Sequence, residues 1–373
     1  MSELAASAAP QAVFAPEAVL KFRAAMDESP AALGWSACGR WLAAISATGM
    51  IHILDASSLE ISSWQAHQPG GLALAWHPSK QLLASSGQDG YVRLWDFSTG
   101  GTLKACNPKA CNPKAYAPKA CAEVALADDS ASTWIEQISW RPDGAQLAIA
   151  AGTKIVLLSP EGDLAAAYVF PGGTVAALCW RPKGAQLAAA GYGGIRIYNV
   201  LDSSSRPQDL KWKGSLLSIS WSPDGRVIAA GCQDNTVHFW RLPELRDAMM
   251  SGFQYKPVQL SWSNNSRWLI TGGSSSLILW PFDKKGPEGR KPVSLQFHQE
   301  AICAVSISSR GHQLATGCRG GQIALWTRIG DPLPAFEAQL DSRPEFLAWS
   351  PQKNARLLAS VSRNGTLNLW EAL

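Results

Sequence analysis

Charge is scarce in this chain of 373 residues: Asp, Glu, Lys and Arg make up 17%, below the usual quarter, and nearly cancel to +4. So slight a balance lacks the electrostatic footprint of a dedicated nucleic-acid binder. No apolar run reaches the roughly 18 residues that would span a bilayer. Residues 1–17 carry Glu3 and Glu17, with no early Lys or Arg and no continuous apolar core, so they do not read as a secretory signal. They read as a disordered Ala/Pro-rich segment, and the whole as a soluble, cytoplasmic protein without membrane insertion. Histidines number six, and none stands in an H-E-x-x-H spacing. A G-x-S-x-G elbow, a phosphate loop and a glycine-rich loop leading into a helix are all missing. The expectation is a protein that is not an enzyme and needs no cofactor.

Tryptophan, in contrast, is plentiful, with 17 copies. Most of them mark a repeated phrase: an apolar strand ending in Trp, a turn such as Trp221-Ser222-Pro223-Asp224-Gly225, a small-residue strand, then a tight turn into a strand ending Leu-Trp. The first marker falls at Trp35, Trp76, Trp140, Trp180, Trp221, Trp262, Ile307 and Trp349. All intervals but one are about 40 to 45 residues, the length of a four-stranded propeller blade. The second marker reads Leu54, Trp95, Leu158, Tyr198, Trp240, Trp280, Trp326 and Trp370. Strand patterning agrees, since Thr236-Val237-His238-Phe239-Trp240 alternates with period two between turn residues. Pro-Asp-Gly at 142–144 and 223–225 suits tight turns, because proline fixes φ and glycine accepts positive φ.

One blade cannot bury both its faces, so the copies must stack and close into a ring. The reading is a single all-β domain over residues 18–373, a closed propeller of four-stranded antiparallel blades. Eight blades are expected, with seven the alternative if the weak first copy packs differently. The last copy ends at Trp370 without an outer strand, and Ala18–Arg23 is the candidate that replaces it from the N-terminal side. Such pairing removes exposed strand edges.

These residues resemble the WD-repeat family from about residue 18 onward. The resemblance implies a buried hydrogen-bond chain within each blade, and the second copy matches it fully with His67, Ser85, Asp89 and Trp95. The fifth copy has Ala230 in place of the hydroxyl residue, and the seventh keeps Trp326, Thr316 and His298 but has Gly320 for the Asp. It also implies a contact surface at the turn between second and third strands and at the loop leading into the first. The residue before the turn Asp reads Ala47, Gln88, Gly152, Tyr192, Gln233, Ser274, Arg319 and Arg363; the lead-in loops add Trp134, Glu136, Trp212, Lys213, Tyr255, Lys256, Arg343 and Glu345. Aromatics and arginines among carboxylates have the composition of a protein-binding surface. The function expected is a scaffold or adaptor that binds protein partners and not nucleic acid, with its oligomeric state open. Trp134 and Trp212 stand out, being outside both repeated tryptophan positions.

The long interval between Trp76 and Trp140 holds a low-complexity insertion, about 104–122, in which Cys-Asn-Pro-Lys-Ala occurs twice in tandem. It reads as a surface loop before an outer strand near Val124–Leu126. Cys106, Cys111 and Cys121 raise the alternative of a zinc-binding or redox-responsive adaptor, although the spacing fits no C-x-x-C knuckle and no fourth ligand is evident. The five other cysteines are scattered and read as small buried hydrophobes. A propeller enzyme or small-ligand sensor is the remaining alternative.

Overall fold

The structure is a computed structural model that describes residues 18–26, 28–98, 120–125, 134–202, 204–242, 244–284, 286–309, 312–352 and 356–372, and every regular element among them is a β-strand. β1 (Ala18–Ala25) belongs to the last sheet. β2 (Pro30–Trp35), β3 (Trp41–Ser46), β4 (Met50–Asp55) and β5 (Glu60–Gln65) form the first antiparallel sheet. The next holds β6 (Gly71–Trp76), β7 (Leu82–Gly87), β8 (Tyr91–Asp96) and β9 (Ala120–Ala125). It is followed by β10 (Ile135–Trp140), β11 (Leu147–Ala151), β12 (Lys154–Leu158) and β13 (Leu164–Val169). A six-stranded sheet contains β14 (Ala177–Trp180), β15 (Gln186–Asn199), β16 (Gln208–Trp221), β17 (Val227–Cys232), β18 (Val237–Arg241) and β19 (Arg246–Met250). Then come β20 (Leu260–Trp262), β21 (Trp268–Thr271), β22 (Ser276–Pro281) and β23 (Val293–Gln296), and β24 (Ile302–Ile307), β25 (Leu314–Cys318), β26 (Gln322–Trp326) and β27 (Phe336–Gln339). β28 (Pro344–Trp349), β29 (Leu357–Ser362) and β30 (Thr366–Ala372) complete the set with β1 on their outer edge.

Eight blades were expected, with seven the alternative; the strands form seven hydrogen-bonded sheets, so the count is corrected to the alternative. The cause lies in β15 and β16, each 14 residues long. The first part of β15 pairs with β14, and its second part, from Tyr192, pairs with β16. Between them the chain doubles back at Gly193 and Gly194, both at positive φ, which glycine tolerates. The Val200 amide accordingly reaches the Ala185 carbonyl at 3.0 Å, as Ala56 reaches Arg40 in the first sheet at 2.8 Å. β16 then leaves the fourth copy and continues without a break as the first strand of the fifth, paired with β17.

Burial follows the strand's place in its sheet. β3 and β7 are buried at every residue, while β13 alternates exposed and half-buried positions. The second strand of a blade is squeezed between neighbouring sheets, which explains its small residues, such as Ala43, Ala84, Ala148, Ala189 and Ala229, all buried. Interleaved Leu42, Leu83, Leu147 and Leu187 are also fully enclosed, each contributing roughly 1.5–3 kcal/mol.

The first-strand tryptophans do more than fill space. Each indole N–H donates to a backbone carbonyl of the preceding first strand: Trp76 to Gly34, Trp140 to Ala75, Trp180 to Ser139, Trp221 to Cys179, Trp262 to Ser220 and Trp349 to Ser306, at 2.9–3.3 Å. Trp35 completes the circle by donating to Ala348 at 2.9 Å. First strands β2, β6, β10, β14, β16, β20, β24 and β28 contact one another in that order, and β28 returns to β2. The belt lapses once, where Ile307 replaces tryptophan.

Closure matches the expectation for the N-terminal strand. β1 runs antiparallel to β30, with Ala18 opposite Ala372 and Ala25 opposite Thr366. Lys21 pairs with Glu371 at 2.8 Å, and Arg23 with Asp341.

Candidate protein-interaction face

The second copy carries the complete polar chain. Trp95 Nε1 donates to Ser85 Oγ at 2.8 Å, and Ser85 lies 2.8 Å from His67 Nε2. His67 Nδ1 lies 2.9 Å from Asp89 Oδ1, which also accepts the Tyr91 amide at 3.2 Å. A neutral imidazole suits both Asp89 and Ser85: Nδ1–H donates to the carboxylate, and Nε2 accepts from the serine hydroxyl. Burial lowers the His67 pKa, outweighing the opposing pull of Asp89, which keeps the ring in that neutral form. Burial would raise Asp89, but hydrogen bonds from Arg93 and His67 bring its pKa below the ordinary value. Arg93 had no place in the sequence-level chain; its Nη1 donates to Asp89 at 2.6 Å and its Nε to Glu123 at 2.8 Å.

Other copies keep fragments. His298 Nε2 lies 2.7 Å from Thr316 Oγ1, and its Nδ1 faces Gln322 Oε1 at 3.1 Å, so Gln322 stands in for the missing Asp. Burial pushes the His298 pKa down to about 4. Trp280 donates to Thr271 at 3.2 Å and Trp370 to Ser360 at 3.0 Å. These groups are architecture: each spends its hydrogen bonds inside its own blade.

The pre-turn residues and the lead-in loops meet on one rim through backbone hydrogen bonds that repeat from copy to copy. Amides of Ala47, Gln88, Gln233, Arg319 and Arg363 donate to carbonyls of Ser29, Gly70, Ser215, Ala301 and Arg343 at 2.8–3.0 Å. Side chains project from this framework. Tyr192 is 67% exposed, Trp134 47% and Tyr255 45%, high values for such large apolar surfaces. Glu136, Gln233, Arg319 and Arg363 are exposed as well, while Gln88, Arg343 and Glu345 are half-buried. The Arg319 guanidinium lies over the Tyr255 ring, 4.9 Å from its centre, joining a turn residue to the lead-in loop of the preceding copy. Arg343 donates to Glu345 at 2.7 Å, beside Arg363.

Trp212 departs from the expectation of a free lead-in residue. It lies in β16 and is half-buried, its ring 4.1 Å from that of His238, which in turn lies 4.4 Å from Trp240. The sequence hid this because the outer strand of the fourth copy runs into the first strand of the fifth without turn residues. Trp41 and Trp268 begin β3 and β21.

A cleft of about 940 Å³ opens beside Trp212, lined by Phe170, Gly172, Tyr192, Gly194, Lys211 and Asp234 among others. Neither Phe170 nor Lys211 is visible as a site residue in the sequence, since neither occupies a repeated rim position.

Cys106 and Cys111 lie outside the described residues, and Cys121 falls in β9 with its side chain outside them. The outer strand expected near Val124–Leu126 is β9, which begins at Ala120. Among the described residues no group of three or more His, Cys, Asp or Glu is placed to hold a metal ion. Burial raises the thiol pKa of Cys179 to about 11 and of Cys303 to about 12, so neither is a reactive thiolate at neutral pH.

Residues 59–96, 209–241, 251–281 and 289–327 match the family described as WD domain, G-beta repeat. The chain carries WD repeats in these four places, on a β-propeller. Among similar proteins is cell division cycle 20.1, cofactor of APC complex, from Arabidopsis thaliana, 29% identical over 42% of this chain and 36% of that protein. WD repeat-containing protein AAC3 from Dictyostelium discoideum is 26% identical over 68% of this chain and 45% of its own. Meiotic fizzy-related protein 1 of Schizosaccharomyces pombe is 25% identical over 40% and 34%. This propeller thus spans less than half the length of these curated relatives. Among the described residues no helix is long and apolar enough to cross a membrane.

Proposed function

We propose that this WD-repeat propeller is a non-catalytic, intracellular scaffold that captures protein partners on the rim bearing Trp134, Tyr192, Tyr255, Arg319 and Arg363. The observation that carries this reading is the repeated amide-to-carbonyl bond between turn and lead-in loop, which holds Arg319 and Arg363 on one edge, with Tyr255 tied to the neighbouring turn by its amide bond to Gly273. Rigid aromatic and arginine side chains lose little freedom on binding and supply the largest share of interface energy. We propose that the six-stranded sheet presents two repeat copies joined through β16, so that each of the eight repeat copies offers one turn to the rim. The Arabidopsis relative is named as a cofactor of a complex, which supports a regulatory adaptor role within a larger assembly.

Affinity purification on the full chain, with partner identification by mass spectrometry, tests the reading. Arg319→Ala combined with Arg363→Ala is expected to weaken capture of the identified partner about tenfold or more, with an unchanged melting temperature. Unchanged capture, or a chain that no longer folds, would place both arginines in the architecture instead.

A further inference from the structure

Tyr192, Trp212 and Phe170 converge on the cleft between the fourth and fifth copies, and three observations say what fits it. Three aromatic rings line it, together with Gly193 and Gly194, which present bare backbone. Pairing between β15 and β16 skips from Gly194 opposite Lys211 to Tyr192 opposite Ser215, so Trp212, Lys213 and Gly214 have no partner in that ladder. Trp212–Gly214 thus form a bulge beside the cleft, outside the regular pairing of β15 with β16. The charges are uneven as well. Arg196 is held by both Asp209 oxygens at 2.6 and 2.8 Å, and Asp234 accepts the Thr236 hydroxyl at 2.6 Å. Lys211 and Lys213, both exposed, form no ion pair among the described residues.

We infer that this cleft binds an extended peptide segment of a partner protein in which an aromatic side chain is flanked by acidic residues. The aromatic ring enters between Tyr192 and Trp212, the acidic neighbours meet Lys211 and Lys213, and the peptide backbone runs along Trp212–Gly214 as an added strand. Edge pairing supplies affinity without regard to sequence, while the aromatic pocket and the two lysines select. The inference rests on the scaffold reading and deepens it by naming what one arc of the rim recognises. A basic, aromatic-lined cleft also suits a single-stranded nucleic acid, but the ladder gap in β16 favours a partner with its own backbone amides.

The test is an array of eight-residue peptides with a central Phe or Trp flanked by Asp/Glu, by Ser/Gly or by Lys/Arg, probed with the purified full chain, beside an eight-nucleotide single-stranded DNA. The acidic class is expected to bind at least tenfold more tightly than the basic class. Tyr192→Ala should weaken that binding by tenfold or more, and Lys211→Glu with Lys213→Glu should reverse the preference, with thermal unfolding unchanged in each. Tyr192→Phe, which keeps the ring, should bind as the unaltered chain does. Equal binding of all classes, preference for the basic class, binding of the DNA alone, or no binding would overturn the inference. Partner capture that fails with the Arg319/Arg363 variant but survives these substitutions would overturn the cleft alone and leave the scaffold reading standing.

Discussion

The second and fourth copies solve the same packing problem by opposite means. In the second, the strand behind the rim carries Ser85, and the chain from Trp95 through His67 to Asp89 fastens strand, turn and lead-in loop together. In the fourth, Ala189 takes the serine position and Tyr198 replaces the tryptophan, its hydroxyl donating outward to the Val169 carbonyl at 3.2 Å. The first has a hollow of about 360 Å³ at its His67–Asp89 corner, the second a cleft of about 940 Å³. Where the polar chain is complete, the repeat's own residues occupy the rim; where it is replaced by alanines and glycines, the rim opens. Stability and accessibility are therefore distributed unevenly around one ring built from one repeated phrase.

That contrast can be broken at its foundation first. Removing residues 1–25 strips β1 from β30 and leaves both copies in an unclosed ring. The loss should be at least about 5 kcal/mol, read as disappearance of the cooperative melt or aggregation. A truncated chain that melts like the full one would show that closure does not depend on β1.

Acid separates the copies that hold a buried histidine from those that do not. In the unfolded chain His298 takes up a proton near its ordinary value of 6.5, whereas in the fold it resists until about 4. The unfolded state thus binds more protons between these limits, and stability falls as pH drops from about 6.5 to 4, by on the order of 3 kcal/mol. His298→Gln should flatten this dependence in denaturant titrations across that range; an identical slope in the variant would refute the assignment.

Ser85→Ala converts the second copy toward the fourth. It strands His67 Nε2 and the Trp95 indole in a buried place, at a cost of about 1–3 kcal/mol in chemical denaturation. A cost near zero would mean that the polar chain contributes orientation without stability. Smallest is the change at the ring belt: Trp35→Phe removes one indole bond to Ala348 but keeps most of the ring volume, and should cost about 1 kcal/mol. Trp221→Phe, within the six-stranded sheet, should cost the same or less, because β16 already ties its two copies covalently and by pairing.

Much of this was legible in the chain. The repeat period, the Pro-Asp-Gly turns and the missing last strand were enough to anticipate the ring and its closure by β1, because turn chemistry and strand alternation are local properties. His67, Ser85, Asp89 and Trp95 could be grouped because their spacing is fixed within one blade. Gln322 in the role of an acid was not legible, since it reaches His298 from a position two residues beyond the one the pattern assigns. Nor was the fusion of the fourth and fifth copies: Lys211–Ser215 look like ordinary loop, and only the pairing of β16 with both β15 and β17 shows them as continuous strand. Trp212, read as part of a lead-in loop, lies within β16 for the same reason.

The indole belt gives this ring a direction and a place to be cut. Every bond points from one first strand to its predecessor, and the single lapse falls at Ile307, between β20 and β24, far along the chain from where β1 meets β30. Ala18 and Ala372 face each other as paired neighbours, so a short turn can join them. Termini moved to the connection between β23 and β24 would then leave all seven indole bonds intact while the old seam becomes a covalent hairpin. The molecule is in this sense already divided at one joint, and its sequence order is only one of the ways in which the same ring can be threaded.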